Sequence, residues 1–318
     1  MSILDEKIKK ANTISIMGHI NPDGDCLGST LALYNYILNI DSKKTVKVYL
    51  MEAQKKFSVL NGFDKICHTD SDATVYDLGI ICDCSTEDRV KDYYKYFDTA
   101  QDKFIVDHHA SSNRTDCDVV IEPTAAATCQ VMFDLMDDKY IDKRVAECLY
   151  VGLAHDSGVF RYSSTTAHTL EVATKLIEKG ISFTELLDDT LFKEKFNQKL
   201  LLAKVYERAK FLCKGKVLYS YALMSELKDL NLEKGDLDLC VPNLRQTEGV
   251  SLALFAYDVA NNVYKISMRS NTDKIDCSVF AKERGGGGHE RAAGFTVNME
   301  LDKIPEYIGK ELKEIFGD

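Results

Sequence analysis

Three short apolar runs in the first third of the chain each give way at once to residues that ligate metals. TISIM at 13–17 leads to His19, LGII at 78–81 leads to Cys82 and Asp83, and KFIV at 103–106 leads to Asp107, His108 and His109. Runs this short and continuously apolar read as strands buried on both faces, the habit of parallel sheets. A fourth, VKVYL at 46–50, reads the same way, and helical patterns lie between them at 27–38 and 87–97. Parallel neighbours need such crossovers. The expected fold is therefore α/β, a parallel sheet with helices on both faces. In sheets of this kind ligands gather at the carboxyl ends of the strands, and every motif above sits at such an end.

The chain has 318 residues, enough for two domains. Helical patterns continue at 125–136, 144–158 and 165–180, and a long charged stretch without Gly or Pro fills 185–212. From residue 216 the pattern changes to strands at 216–224, 250–259 and 263–270, the last two joined as a hairpin at Asn261-Asn262, then a helix at 275–283 and the run RGGGGHERAAGF at 284–295. The expected division is a first domain over 1–185, a helical linker over 186–212 and a smaller α/β domain over 213–318.

Net charge is −10, which argues against a protein that grips long duplex nucleic acid by a basic face. No apolar run is long enough to span a bilayer. The opening MSILDEKIKK is charged from residue 5 and has no apolar signal core, so a cytoplasmic protein is expected. Ten scattered cysteines fit reduced thiols, and none has the spacing of a thiolate zinc site.

His19, Asp23 and Asp25 share one loop, Asp83 and His108 lie at two further strand ends, and Asp156 sits in HDSG at 155–158. Imidazole and carboxylate together suit a borderline-hard divalent ion, manganese above all, with magnesium, cobalt or iron as alternatives. Four carboxylates balance the charge of two such ions, which a bridging carboxylate would hold about 3.5–4 Å apart. Taken singly, each residue has a plainer reading: Asp25 or Asp83 as a helix cap, His19 as a surface histidine. Their coincidence on one sheet rim favours the metal reading. His68, His155 and His168 are read as structural, His155 because adjacent helical residues face different ways.

HINPDGDCLGS, ICDCS, VDHH and HDSG, in that order, resemble the four motifs of the DHH phosphoesterase family, and RGGGGHERAAGF resembles the glycine-rich signature of its DHHA1 domain. Two-domain chains of this size resemble the nanoRNase/pAp-phosphatase group, which includes enzymes that cleave pApA, the linear product of cyclic di-AMP. The resemblance implies a catalytic, metal-binding first domain and a substrate-binding second one. It implies that His19, Asp23 and Asp83 hold one ion and Asp25, Asp83, His108 and Asp156 the other, with Asp83 bridging and Gly24 letting the loop fold tightly between them. Asp107 would orient an imidazole, and His109 would meet the substrate phosphate as donor or general acid. Glu290-Arg291 and His155 depart from the family pattern.

Gly286, Gly287 and Gly288 would let the backbone approach a phosphate, His289 would follow at a helix start, and Arg269 would offer its planar fork. Arg114 reads equally as a phosphate ligand or a solvated loop charge. The expected reaction is metal-dependent hydrolysis of short RNA, di- to pentanucleotides, to mononucleotides, and of pAp to AMP and phosphate. A protein mainly hydrolysing pApA is the alternative; an inorganic pyrophosphatase or a nucleotide-binding regulator is more remote. Monomer and homodimer both remain open.

Overall fold

The computed structural model describes residues 2–68, 74–84, 86–109 and 116–317. Two compact units divide the chain, Met1–Lys193 and Glu194–Asp318. The first runs α1 (Ile3–Lys10), β1 (Thr13–Met17), α2 (Gly24–Ile40), β2 (Thr45–Tyr49), β3 (Ile66–Cys67), β4 (Leu78–Cys82), α3 (Glu87–Val90), α4 (Tyr94–Asp98), β5 (Asp102–Asp107), β6 (Asp118–Ile121), α5 (Thr128–Leu135), α6 (Lys143–Asp156), α7 (Ala167–Glu178) and α8 (Phe183–Leu187). Its sheet has the order β3-β2-β1-β4-β5-β6, with every described pairing parallel.

Alternation along the strands shows why both faces are covered. Ile14, Ile16, Leu78, Ile80, Phe104 and Val106 pack with Leu4 of α1, Leu27 and Leu31 of α2 and Leu149 and Leu153 of α6. Met17, Ile81 and Ile105 point the other way, into a cluster with Val90, Tyr93, Tyr96 and Phe97. The sheet with helices on both faces is thus as expected. Strand order reverses between β1 and β4, and such a switch point opens a crevice at the carboxyl ends. The three motif-bearing strands, β1, β4 and β5, are neighbours there.

Helix α2 lies close against α6 because small residues line the contact. A β-carbon on Gly28 would stand 2.6 Å from the Cys148 carbonyl oxygen, and one on Gly152 would stand 3.1 Å from Asp25 Cα. The pattern at 87–97 is not one helix: α3 and α4 flank a 3₁₀ turn at Lys91–Tyr93, and Lys91 has φ +53°. The stretch 186–212 is not a continuous helical linker either. Backbone at Lys193 and Lys195 is extended. Leu186 and Leu187 before the break pack in the first unit's core, and Leu201 and Val205 after it pack in the second's. Each half follows its own core.

The second unit runs α9 (Phe196–Glu207), β7 (Lys210–Leu212), β8 (Val217–Ala222), α10 (Met224–Asp229), α11 (Cys240–Arg245), β9 (Leu252–Ala260), β10 (Val263–Ser270), α12 (Cys277–Lys282), β11 (Gly287–His289), β12 (Ala292–Asn298) and α13 (Ile304–Phe316). Its sheet has the order β11-β12-β10-β9-β8-β7, antiparallel except for the parallel pair β8–β9. One face, with Leu254, Ile266, Met268, Ala293 and Phe295, packs on α12 and α13. The other face of β8 and β9 packs on α9 and α11. No helix among the described residues is long and apolar enough to cross a membrane, and no disulfide joins the ten cysteines among the described residues.

Candidate active site

Beyond β1 the chain turns into α2, whose N-cap is Asp23: its Oδ1 accepts from the amides of Asp25 at 3.0 Å and Cys26 at 3.1 Å. The capping role thus belongs to Asp23 and not to Asp25. Asp25 is fully buried and serves a different helix, accepting from Thr128 N at 2.6 Å and Cys129 N at 2.9 Å where α5 begins. Each of its oxygens keeps a second lone pair. Asp83 follows β4 directly. Its backbone is left-handed, φ +61°, a conformation that Asp tolerates at some cost and that functional sites retain when it aims a side chain. Asp107 ends β5, and Asp156 ends α6, where Ser157 Oγ bonds back to the Leu153 carbonyl at 2.6 Å and closes the helix.

These four origins converge. Asp83 Oδ2 lies 3.3 Å from His19 Nε2, which is 3.8 Å from Asp23 Oδ1. Asp83 Oδ1 lies 3.7 Å from His108 Nε2, and that nitrogen is 3.9 Å from Asp25 Oδ2 and 3.4 Å from Asp156 Oδ2. Asp83 thus turns one oxygen to each of two imidazoles. Thr128 Oγ1 donates to its Oδ1 at 2.9 Å and steadies it. All six residues named from the sequence as metal ligands therefore gather at the switch point.

Hydrogen bonds fix what the imidazoles present. His108 Nδ1 lies 3.3 Å from the Ala125 carbonyl oxygen, which selects the Nδ1–H form. Nε2 then faces the carboxylates; it is buried and without a hydrogen-bond partner among the described residues, as are His19 Nδ1 and Asp107 Oδ2. Burial, reinforced by Asp156, pushes the Asp25 carboxyl up to about 6. Burial and the neighbouring Asp25 also drive Asp83 well above the carboxylate range. Burial works against charge on His108, yet Asp156, Asp25 and Asp83 outweigh it and raise the imidazole to about 10. Burial also works against ionisation of Asp156, but the neighbouring His108 and His155 imidazoles keep that carboxyl below its ordinary value. Groups crowded this way favour any cation that enters, whether a proton or a metal ion. Cys26 stands within 4.8 Å of His19 and Asp83, but burial raises its thiol far above the ordinary range. The donor set offered is nitrogen and oxygen, which fits a borderline-hard divalent ion.

His109 is the half-exposed member, its side chain 45% accessible. Asp107 Oδ1 accepts from both its backbone N at 3.0 Å and its Nδ1 at 2.7 Å, leaving Nε2 for another partner. Asp107 is fully buried. Arg114 lies outside the described residues. His68 and His168 lie elsewhere, on the Leu50 carbonyl and on Asp134. His155, read from the sequence as structural, belongs to the site: with Asp23 and Asp156 it forms a third donor group within 4.8 Å. Its one sequence signal was adjacency to Asp156.

In the second unit the glycine run forms an edge strand, not the loop before a helix that the sequence led us to expect. His289 closes β11, and no helix begins there. A β-carbon on Gly286 would stand 2.1 Å from the Gly294 carbonyl oxygen, and one on Gly288 would stand 2.4 Å from that of Ala292. Close approach to β12 therefore requires glycine at both places. Gly287 meets nothing within 4 Å. Register places Arg269, Ala292 and His289 in one row across β10, β12 and β11, and Ser267, Gly294 and Gly287 in the next. Directly paired residues share a face, so Ala292 alone separates a guanidinium from an imidazole, and a second row made only of small residues lies beside them. Glu290 and Arg291 form the connecting turn, their carbonyl oxygens accepting from Cys277 N at 2.7 Å and Ser270 N at 3.0 Å.

Comparison with known proteins agrees with this two-unit plan. An exopolyphosphatase-related protein from Bacteroides fragilis superposes with a TM-score of 0.87, 23% identity and coverage of 99% of this chain and 96% of that one. Among curated relatives, the probable bifunctional oligoribonuclease and PAP phosphatase NrnA of Streptococcus mutans is 27% identical over 97% of this chain and 96% of its own. The bifunctional oligoribonuclease and PAP phosphatase NrnA of Thermus thermophilus is 27% identical over 99% and 94%. Residues 13–153 match the N-terminal domain of the DHH family and residues 214–318 match the DHHA1 domain. The chain belongs to the DHH family, in the branch whose second unit is a DHHA1 domain.

Proposed function

We propose that this protein is a divalent-metal-dependent phosphoesterase of the cytoplasm that hydrolyses di- to pentaribonucleotides to mononucleotides and pAp to AMP and phosphate. The names carried by its full-length relatives support the substrate class. The observation that carries the metal reading is Asp83, buried between His19 and His108 with one oxygen toward each. In this reading His19, Asp23 and Asp83 hold one ion and Asp25, Asp83, His108 and Asp156 the other. Manganese is the preferred metal, since the donors mix imidazole with carboxylate. When bound, two such ions supply Lewis acidity and a water acidified toward neutral pH.

The chain's own groups do the rest. His109, held through Nδ1 by Asp107, offers Nε2 to a phosphoryl oxygen or to the leaving ribose oxygen, where a proton is needed. Arg114, Arg269, His289 and the backbone of Gly286, Gly287 and Gly288 take the substrate's phosphate and sugar.

The test is digestion of a labelled series from pAp and pApA through ten-nucleotide RNA, with manganese and with chelator. Turnover that needs the metal and falls steeply beyond pentanucleotides is expected. Turnover indifferent to chelation, or hydrolysis of pyrophosphate with inert dinucleotides, overturns the proposal. A rate that peaks sharply at pApA identifies the narrower substrate.

A further inference from the structure

His155 is held by two helices at once. At the end of α6 its Nδ1 lies 2.9 Å from Asp156 Oδ1. Across the contact, Gly24 at the start of α2 comes so near that a β-carbon there would stand 2.6 Å from both Cβ and Cγ of the histidine. Phe57 meets the ring edge-on, with centroids 6.4 Å apart. The glycine after Asp23 is therefore not explained by loop tightness, as the sequence suggested: no left-handed φ is found at Gly24. Its missing side chain makes room for an imidazole.

The pairing divides the Asp156 carboxylate. Oδ1 is engaged by His155, and Oδ2 faces His108 Nε2 at 3.4 Å. The terminal torsion of Asp is broad and two-fold, so an untethered carboxylate can present either oxygen or swing between them. One donor on Oδ1 removes that freedom. The arrangement inverts the familiar pairing in which a carboxylate steadies a ligating imidazole.

We propose that His155 is a positioning residue of the cation centre: its Nδ1–H, given to Asp156 Oδ1, fixes which oxygen Asp156 turns to the cluster, and Gly24 supplies the space. This rests on the reading of Asp156 as a metal ligand. It assigns a role to a residue in which this chain departs from its family's pattern.

Manganese affinity, followed by the electron paramagnetic resonance signal of free Mn²⁺, tests it without any substrate. His155→Leu keeps the volume and removes the donor, and it should weaken binding roughly 10–100-fold, the range for groups that orient ligands. His155→Asn places an amide N–H near the position of Nδ1 and should restore most of that loss. His155→Gln places its amide near Nε2 and should not. Gly24→Ala, which pushes the ring aside, should resemble the leucine variant with unchanged circular dichroism. In an Asp156→Ala background, His155→Leu should cause no further loss. Undiminished binding by the leucine variant, or rescue by Gln in place of Asn, overturns the inference while the metal reading stands. Equal binding by wild type and Asp83→Asn overturns both.

Discussion

The two units present chemistry in opposite ways. In the first, titratable side chains gather at the sheet rim, and their partners steady them: Asp25 by two amides of α5, Asp83 by Thr128, His108 by a carbonyl, His109 by Asp107. In the second, the candidate surface is defined by what is missing, with only Ala292 between Arg269 and His289 and the small residues Ser267, Gly294 and Gly287 in the row beside them. The first arrangement stores electrostatic tension that a cation relieves; the second stores none. Substitutions in the first should therefore act on chemistry, and those in the second on fold or on substrate affinity.

Asp83→Asn gives the largest expected effect. Asn tolerates left-handed backbone, so the change removes charge and little else. On the proposed reading of Asp83 as a shared ligand its loss is worth several kcal/mol, and turnover measured in manganese should fall on the order of a thousandfold or more. Next is His109→Ala, expected to lower kcat by about 10²–10⁴ with manganese binding intact. Asp107→Asn should follow it, because the amide can offer Nδ1 a donor and so favour the other tautomer. Equal losses of metal from either variant would merge the two roles that the geometry separates.

The glycine edge sharpens the contrast. Gly288→Ala, with φ +147° and the Ala292 carbonyl in the way, should destabilise the second unit by about 1–3 kcal/mol in denaturant melts. Gly287→Ala meets open space, so its melt should match wild type while KM for a dinucleotide rises severalfold. If both alanines behave alike, the glycine edge has only a folding role.

The smallest effect is on pH. Asp25 rises from an ordinary 3.8 to about 6 and His108 from 6.5 to about 10. A group raised on folding contributes stability that is whole below its unfolded value and is lost as pH climbs through the folded one. Both act in the same direction, so metal-free protein should melt a few degrees lower at pH 8 than at pH 5. Manganese should flatten that slope, since it replaces the protons, and a slope unchanged by the ion would place the tension elsewhere.

Much of this was legible in the chain. Buried runs without alternation marked β1, β4 and β5, and their placement at one rim followed from parallel topology alone. The metal-type residues could be named because carboxylates and imidazoles stand just after strands that need nothing polar. His155 was missed because the rule that neighbouring helical residues diverge weakens at a helix end, where Asp156 can turn its carboxylate back. The glycine run misled for another reason: sequence shows that a β-carbon is absent, not whether a phosphate or a neighbouring strand requires it. Nor could charge and length at 186–212 reveal where one core stops recruiting leucines and the next begins.

The pairing of Ile14 with Leu78 has a consequence for how the protein is made. β1 and β4 are adjacent in the finished sheet but far apart along the polypeptide, and closing so long a loop costs chain entropy before any contact between them rewards it. His19 and Asp83 are strangers until it closes. A chain emerging from the ribosome thus carries its acidic and imidazole groups dispersed, and ion capture can mark only molecules whose central strands have already met.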